Sequence, residues 1–247
     1  MAIALNLPVQ LRGRHGDPQP RVQGTVDRLL AGNDRPRVLE AGCGSLSRVQ
    51  LPARRTLVGI DIEQRQLDRN TALDEKILGD LQSFATPVPG FDLVLCWDVI
   101  EHLPEPMKAL ERLTAALNPG GSLVLAFPNL WSLKGLATKF TPYAVHAFFY
   151  RFAIGDKRRH DEWDQFPTFF RASIAPRRLR AWAAQHGFEV VYDEVYEGPV
   201  QAGMRSRSRW LDLGFAALGL VSRVLSLGQL DLGLSDCILV LRLSPGR

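Results

Sequence analysis

The chain has 247 residues, 46% hydrophobic and 23% charged, a balance that fits an ordinary soluble globular protein and excludes collagen-like, coiled-coil, disordered and disulfide-framework classes. Thirty basic residues against 26 acids leave a net charge of +4, interleaved with acids rather than gathered into the stripe that nucleic acid requires. Cys43, Cys96 and Cys237 are widely spaced without a CxxC pair, so they read as reduced thiols of a cytoplasmic protein and not as a zinc or redox site.

Residues 1–8 carry a short apolar run with no basic segment before it and no small-residue cleavage site after it, which argues against a signal peptide. Val22, Val26, Leu29 and Leu30 then recur at helical spacing, and Gly32 and Asn33 end the pattern, predicting a helix over 22–30. From Pro36 onward, short β-branched or Leu-rich runs alternate with amphipathic stretches, as parallel strands covered on both faces by crossover helices require. Strands are predicted at 37–40, 56–60, 76–78, 91–96, 122–127, 188–192 and 237–243, and a helix at 106–117 stopped by Asn118-Pro119-Gly120-Gly121. The expectation is one doubly wound α/β domain over residues 1–247. Two stretches break the alternation. Residues 128–174 are rich in aromatics, among them Trp131, Phe140, Tyr143 and Trp163, and residues 197–236 contain an apolar run at 210–230. In that run Asp212, Gly219, Ser222, Arg223 and Ser226 fall mostly on one narrow helical stripe, predicting an amphipathic helix. Asp212 and Arg223 bound its longest charge-free stretch, too short to span a membrane.

Glu40-Ala41-Gly42-Cys43-Gly44-Ser45 follows the first of the seven predicted strands, a turn in which glycines let backbone approach a ligand and leave amides free. Asp61 ends the next strand, where an acid can accept hydrogen bonds from both hydroxyls of a ribose. Asp80, at the tip of the third strand, suits an exocyclic amine such as that of adenine. Loop and acids together indicate a nucleoside cofactor. A nicotinamide-dependent dehydrogenase is one reading, but Ser47 replaces the third glycine of a GxGxxG turn, and Trp97-Asp98-Val99-Ile100-Glu101-His102-Leu103 has no part in hydride transfer.

These residues resemble the class I S-adenosylmethionine-dependent methyltransferases, and within them the small-molecule branch of ubiquinone-biosynthesis O-methyltransferases. The matching pieces are residues 38–44, 59–61, Gly79-Asp80, 91–94, 98–102 and 117–121. The resemblance implies a seven-stranded Rossmann-like sheet of order 3-2-1-4-5-7-6 with strand 7 antiparallel and helical insertions after strands 5 and 6. Pro52 interrupts the segment of the first crossover helix, which is expected to be short. By the same resemblance Glu40, Gly42, Cys43 and Gly44 hold the methionyl end of S-adenosylmethionine, and Asp61 holds the ribose. Ile62 covers the adenine, Asp80 and Leu81 bind it, and Cys96 and Trp97 flank the sulfonium.

An oxygen acceptor must lose a proton, and His102 is the candidate base because histidine titrates near neutral pH, with Glu101 beside it. In a second reading Asp98, Glu101 and His102, at i, i+3 and i+4, share one face of a helical turn and bind a divalent cation such as Mg²⁺. In a third, Glu101 and His102 are structural. Both insertions are expected to emerge at the cofactor edge, where an aromatic cover suits an apolar or aromatic, even lipid-linked, small-molecule acceptor. Arg205, Arg207 and Arg209 precede the helix at 210–230, which is expected either to roof the acceptor or to lie peripherally on a membrane. A non-catalytic cofactor-binding or membrane-docked interaction protein is the remaining alternative.

Overall fold

Strands that are apolar at successive positions need cover on both faces, and helices flanking a parallel sheet supply it. In the computed structural model, which describes residues 9–44, 47–85, 90–133, 135–136, 168–169, 171–227 and 230–246, the apolar runs form one eight-stranded sheet. The chain enters through β1 (Val9–Gly13) and α1 (Gln19–Leu30), then β2 (Arg37–Ala41), β3 (Thr56–Asp61), α2 (Gln64–Arg69) and β4 (Glu75–Leu78). β5 (Phe91–Trp97), a 3-10 turn (Ile100–His102), α3 (Pro106–Ala116) and β6 (Leu117–Pro128) follow. After a second 3-10 turn (Ala172–Ile174) come α4 (Pro176–Gln185), β7 (Phe188–Tyr196), α5 (Pro199–Arg205), α6 (Arg209–Leu225) and β8 (Asp236–Leu243).

The order across the sheet is β1-β7-β8-β6-β5-β2-β3-β4, and β8 runs antiparallel to both of its neighbours. The seven expected strands therefore stand in the expected order, and β1 is an eighth, added at the edge parallel to β7 with Val9 opposite Tyr192 and Gly13 opposite Tyr196. A five-residue edge strand carries too little periodicity to be separated from loop before its partner is known. β6 also begins earlier than its apolar run, because Leu117 pairs with Phe91 across a register shift between Phe91 and Leu93. At Gly121 a Cβ would lie 2.8 Å from the Phe91 carbonyl oxygen, so the close approach of the two strands there depends on glycine.

Alternate residues of each strand feed two cores. One joins Leu39, Val58, Val94 and Leu239 to Leu110 and Leu113 of α3 and to Leu179 and Trp182 of α4. The other joins Val38, Leu57, Leu93 and Val240 to Val22, Val26 and Leu30 of α1. The expected short helix between β2 and β3 is absent among the described residues: 47–55 run as bends and irregular chain, and buried Val49 with Leu51 packs against the second core in its place. Pro52, which lacks an amide hydrogen, is consistent with that path. Most of the insertion at 128–174 lies outside the described residues, including Phe140, Tyr143 and Trp163. The insertion at 197–236 contains α5 and α6, so the amphipathic helix expected at 210–230 ends at Leu225, before Leu227 takes φ +52°.

Candidate functional site

Between β2 and β5 the winding of the sheet reverses, and the crevice beyond the C-terminal ends of these strands is where doubly wound folds bind ligands. The loop leaving β2 fills the near side of this crevice. Gly42 and Gly44 take φ of +68° and +50°, a region that L side chains rarely occupy. A Cβ on Gly42 would collide with both methyls of Val99, so the turn can lie against the β5 side only as glycine. Its amides are tied to the next strand, Gly42 N–H donating to the Ile60 carbonyl at 2.8 Å and Cys43 N–H to the same oxygen at 3.2 Å.

Asp61 holds this loop in place. It is buried at the end of β3, its Oδ2 accepts the Gly44 amide at 3.0 Å, and its Oδ1 accepts the Glu63 amide at 2.9 Å. Each oxygen retains acceptor capacity beyond these bonds. Ile62, the next residue, is 60% exposed, an apolar side chain left open at the crevice. Glu40 is buried beneath the loop; burial raises its pKa against the opposing effect of the Ser47 hydroxyl, which donates to Oε2, and of the Arg48 backbone. Burial, with the nearby carboxylates of Asp61 and Glu40, pushes the Cys43 thiol up to about 12, so it is a neutral packing group. Gly59 allows this packing, since a Cβ there would lie 2.8 Å from Cys43 Sγ.

Two residues of this region have roles that the sequence did not display. Ser47 stands where a dinucleotide turn keeps glycine, and its hydroxyl serves Glu40. Buried Asn70 donates from Nδ2 to the Gly44 carbonyl at 3.3 Å and accepts the Ala72 amide on Oδ1 at 3.2 Å, clamping the loop from α2. Both roles depend on how the loop folds back on itself and on α2. Asp80 turns the chain after β4, accepting the Gln82 amide on Oδ1 at 2.8 Å, with Leu81 buried next to it.

On the far side, β5 ends with buried Cys96 and half-buried Trp97. Burial raises the Cys96 thiol pKa further than any nearby charge does, so it too is neutral. Asp98 leaves the strand at φ +56°, and Val99 (φ −126°) precedes the 3-10 turn that starts at Ile100. This corrects the shared helical face expected of Asp98, Glu101 and His102. Asp98 lies before the turn, with Arg48 Nη2 at 4.0 Å from its Oδ2, and Glu101 is buried beneath the turn. Among the described residues, no three His, Cys, Asp or Glu side chains gather where they could hold one cation. His102 keeps one ring nitrogen, Nε2, at 3.8 Å from Glu101 Oε1 and the other, Nδ1, at 3.4 Å from the Thr168 hydroxyl.

The described ends of the first insertion flank this edge. Asn129 is bonded to the β8 side through Ser235 and Leu234, whereas the Phe169 amide donates to the Glu101 carbonyl at 2.9 Å. Tyr196, at the C-terminal end of β7, was missed by sequence reasoning. It is buried, and burial together with the carboxylates of Asp236 and Asp98 raises its pKa, so its phenol stays protonated. It lines a cleft of about 500 Å³ with Arg14, Glu197 and Arg205, in which Glu197 pairs with Arg205 Nε at 2.9 Å.

A family model described as a methyltransferase domain matches residues 14–193, well over half of the chain, and the chain belongs to that family. Membership sets aside the dehydrogenase reading. Among curated proteins, the chain is similar to the ubiquinone biosynthesis O-methyltransferase of Pseudomonas aeruginosa (strain LESB58), 28% identical over 172 residues, 65% of this chain and 66% of that protein. The match thus spans just under two thirds of the relative's length. Among solved structures, a SAM-dependent methyltransferase from Archaeoglobus fulgidus superposes with a TM-score of 0.50 at 15% identity, covering 91% of this chain and 94% of that one. The plantazolicin methyltransferase BpumL, in complex with SAH, gives 0.52 at 14% identity, covering 92% and 85%. At these identities the likeness establishes the Rossmann-like methyltransferase fold.

Proposed function

We propose that this chain catalyses S-adenosylmethionine-dependent methyl transfer to an oxygen of a hydrophobic or aromatic small-molecule acceptor. The observation that carries the reading is the glycine loop locked by buried Asp61 at the point where the sheet winding reverses. The crevice residues fit the cofactor. Gly44 faces open space where a Cβ would stand, Asp61 presents a fixed carboxylate for two vicinal hydroxyls, and exposed Ile62 offers an apolar surface to a base. Glu40, Gly42, Cys43 and Gly44 would hold the methionyl end, Asp80 and Leu81 the adenine, and the backbone of Cys96 and Trp97 the surroundings of the sulfonium.

When bound, S-adenosylmethionine supplies an already activated methyl group, so the protein's work is alignment and proton removal. His102 takes the acceptor hydroxyl proton on a ring nitrogen, and the carboxylate of Glu101, at 3.8 Å, favours the imidazolium that results. Apolar Trp131, Leu133 and Phe169 on the described ends of the first insertion are partly exposed at this edge and suit an apolar acceptor. The name of the Pseudomonas relative supports oxygen as the accepting atom. Peripheral contact with a lipid surface belongs to the same reading, because a lipid-linked acceptor is met there.

Calorimetric titration with S-adenosylmethionine and transfer of labelled methyl to extracted hydrophobic metabolites test the proposal. The expected result is saturable binding and label in an alkali-stable ether. Failure to bind the cofactor, or label confined to nitrogen or carbon, overturns the corresponding part.

A further inference from the structure

α6 is inverted with respect to an ordinary surface helix. Its polar stripe faces the protein: the buried Ser222 hydroxyl donates to the Gly219 carbonyl at 3.0 Å and accepts the Leu232 amide at 3.1 Å, and Ser226 accepts the Leu230 amide at 2.8 Å. Gly219 lets the helix settle on this loop, since a Cβ there would lie 2.9 Å from Asp231 Oδ1. Asp212 is held by Arg205 and by Arg14. The other side carries Trp210, Leu213, Leu220, Val221, Val224 and Leu225, which are between 53% and 82% exposed. At 100° per residue these six span a face roughly 140° wide on a helix about 25 Å long.

The geometry points to α6 as a docking helix that lies flat in the surface of an anionic lipid bilayer, with its apolar side chains inserted. Charge complementarity selects this occupant. Exposed Arg209 and Arg223 lie about 40° apart on one border of the apolar face, one at each end of the helix; Arg223 is tied through Nε to Asp231 at 3.5 Å, with half of its side chain still open to solvent. The acid of the helix, Asp212, lies about 20° from Arg223 on the helix circumference and is paired with Arg205 and Arg14. An apolar face with arginines along its border and a tryptophan near one end is the arrangement that interfacial helices use. A second copy fits less well, because an antiparallel pair of α6 helices sets Arg209 against the other copy's Arg223. No described helix is long and apolar enough to cross a membrane, so α6 can lie on a bilayer and not span it.

The position has a functional consequence that rests on the methyl-transfer reading, although the docking itself does not. β7 runs in the same direction as β5 and β6, so the connection bearing α5 and α6 leaves the sheet at the edge that holds the crevice. A bilayer against α6 lies beside the mouth through which a lipid-linked acceptor would enter.

Flotation of the intact chain with vesicles of phosphatidylcholine, alone or mixed with phosphatidylglycerol, tests the inference. Partition into the mixed vesicles is expected, and it should fall at least about tenfold in Leu213→Gln/Val224→Gln, which removes exposed apolar contacts. Arg209→Gln and Arg223→Gln should each weaken it about fivefold, and added salt should do the same. Equal partition into both vesicle types, or no effect of Leu213→Gln/Val224→Gln, overturns the assignment. A dimer in light scattering that this double variant splits gives the face to a second copy. A lowered melting temperature in the variant, with no flotation of the parent, gives it to residues 137–167. Cofactor binding measured in the same preparations separates the two proposals, since its loss with flotation intact strikes only at methyl transfer.

Discussion

Asp61 does two jobs with one carboxylate: it fixes the glycine loop through the Gly44 amide and, in the proposed reading, accepts from the ribose. Asp61→Ala should therefore weaken S-adenosylmethionine binding about 10–100-fold, as expected for a charge-assisted pair of hydrogen bonds. Calorimetry measures this directly, and unchanged affinity would remove Asp61 from the site. Glu40 presents the opposite balance, since its carboxylate is buried at an energetic cost. Because its pKa in the fold is raised, the stabilising protonated state is complete below the ordinary carboxyl range and is lost as pH rises through the raised value. Glu40→Gln keeps an acceptor for Ser47 without the charge. Its melting temperature should exceed that of the parent at neutral pH, with the difference vanishing in acid, while cofactor affinity falls. A neutral-pH melting temperature at or below that of the parent would show that the charge is compensated. For His102→Ala, the expectation is a loss of turnover of about 10²–10⁴-fold with cofactor affinity unchanged, read by steady-state kinetics beside calorimetry. Full activity in that variant would leave the residue a structural role.

At the scale of elements, the loop after β2 is defined by what its glycines exclude. Gly42→Ala introduces a Cβ at φ +68° and drives it into the Val99 methyls, which should cost about 2–3 kcal/mol in denaturant unfolding. Val99→Ala in the same chain removes the collision and leaves the backbone strain. Partial recovery in the double variant is expected, and none at all would assign the whole loss to the dihedral. The same view explains why Asp98, Glu101 and His102 do not share the helical face that one of the three readings gave them. Their spacing fits an α-helix, but the left-handed Asp98 delays the turn until Ile100, and no property of an isolated Asp announces a positive φ. The roles of Ser47 and Asn70 were not legible for a related reason: Ser47 reaches back to Glu40 through the folded loop, and Asn70 reaches the Gly44 carbonyl from the end of α2.

For the molecule as a whole, α1 is fastened to the sheet by more than its apolar stripe. Glu194 of β7 is fully buried, accepts from the Tyr192 hydroxyl, and pairs with Arg21 Nη2 at 2.6 Å. Arg21→Met strands that carboxylate and should lower stability by about 2–4 kcal/mol, the upper range being tempered by the partial exposure of the arginine. Adding Glu194→Gln should restore part of the loss in the same denaturation experiment, because the unpaired charge is then gone. The sequence by itself determined the doubly wound alternation of strands and helices and the placement of Gly42, Gly44 and Asp61, whereas the order of the seven main strands was legible only through the family resemblance. Apolar runs, helical periodicity, turn residues and strand-end acids are local, and local chemistry is what a sequence displays. The edge strand β1, the helix-free path of residues 47–55, the left-handed Asp98 that breaks the expected helical face and the outward turn of the apolar face of α6 were decided only in three dimensions. Each depends on which distant segment supplies a hydrogen-bond partner or a packing surface. A helix with one polar and one apolar side has the same sequence whichever side the rest of the chain satisfies; here Leu230, Asp231 and Leu232 satisfy the polar one.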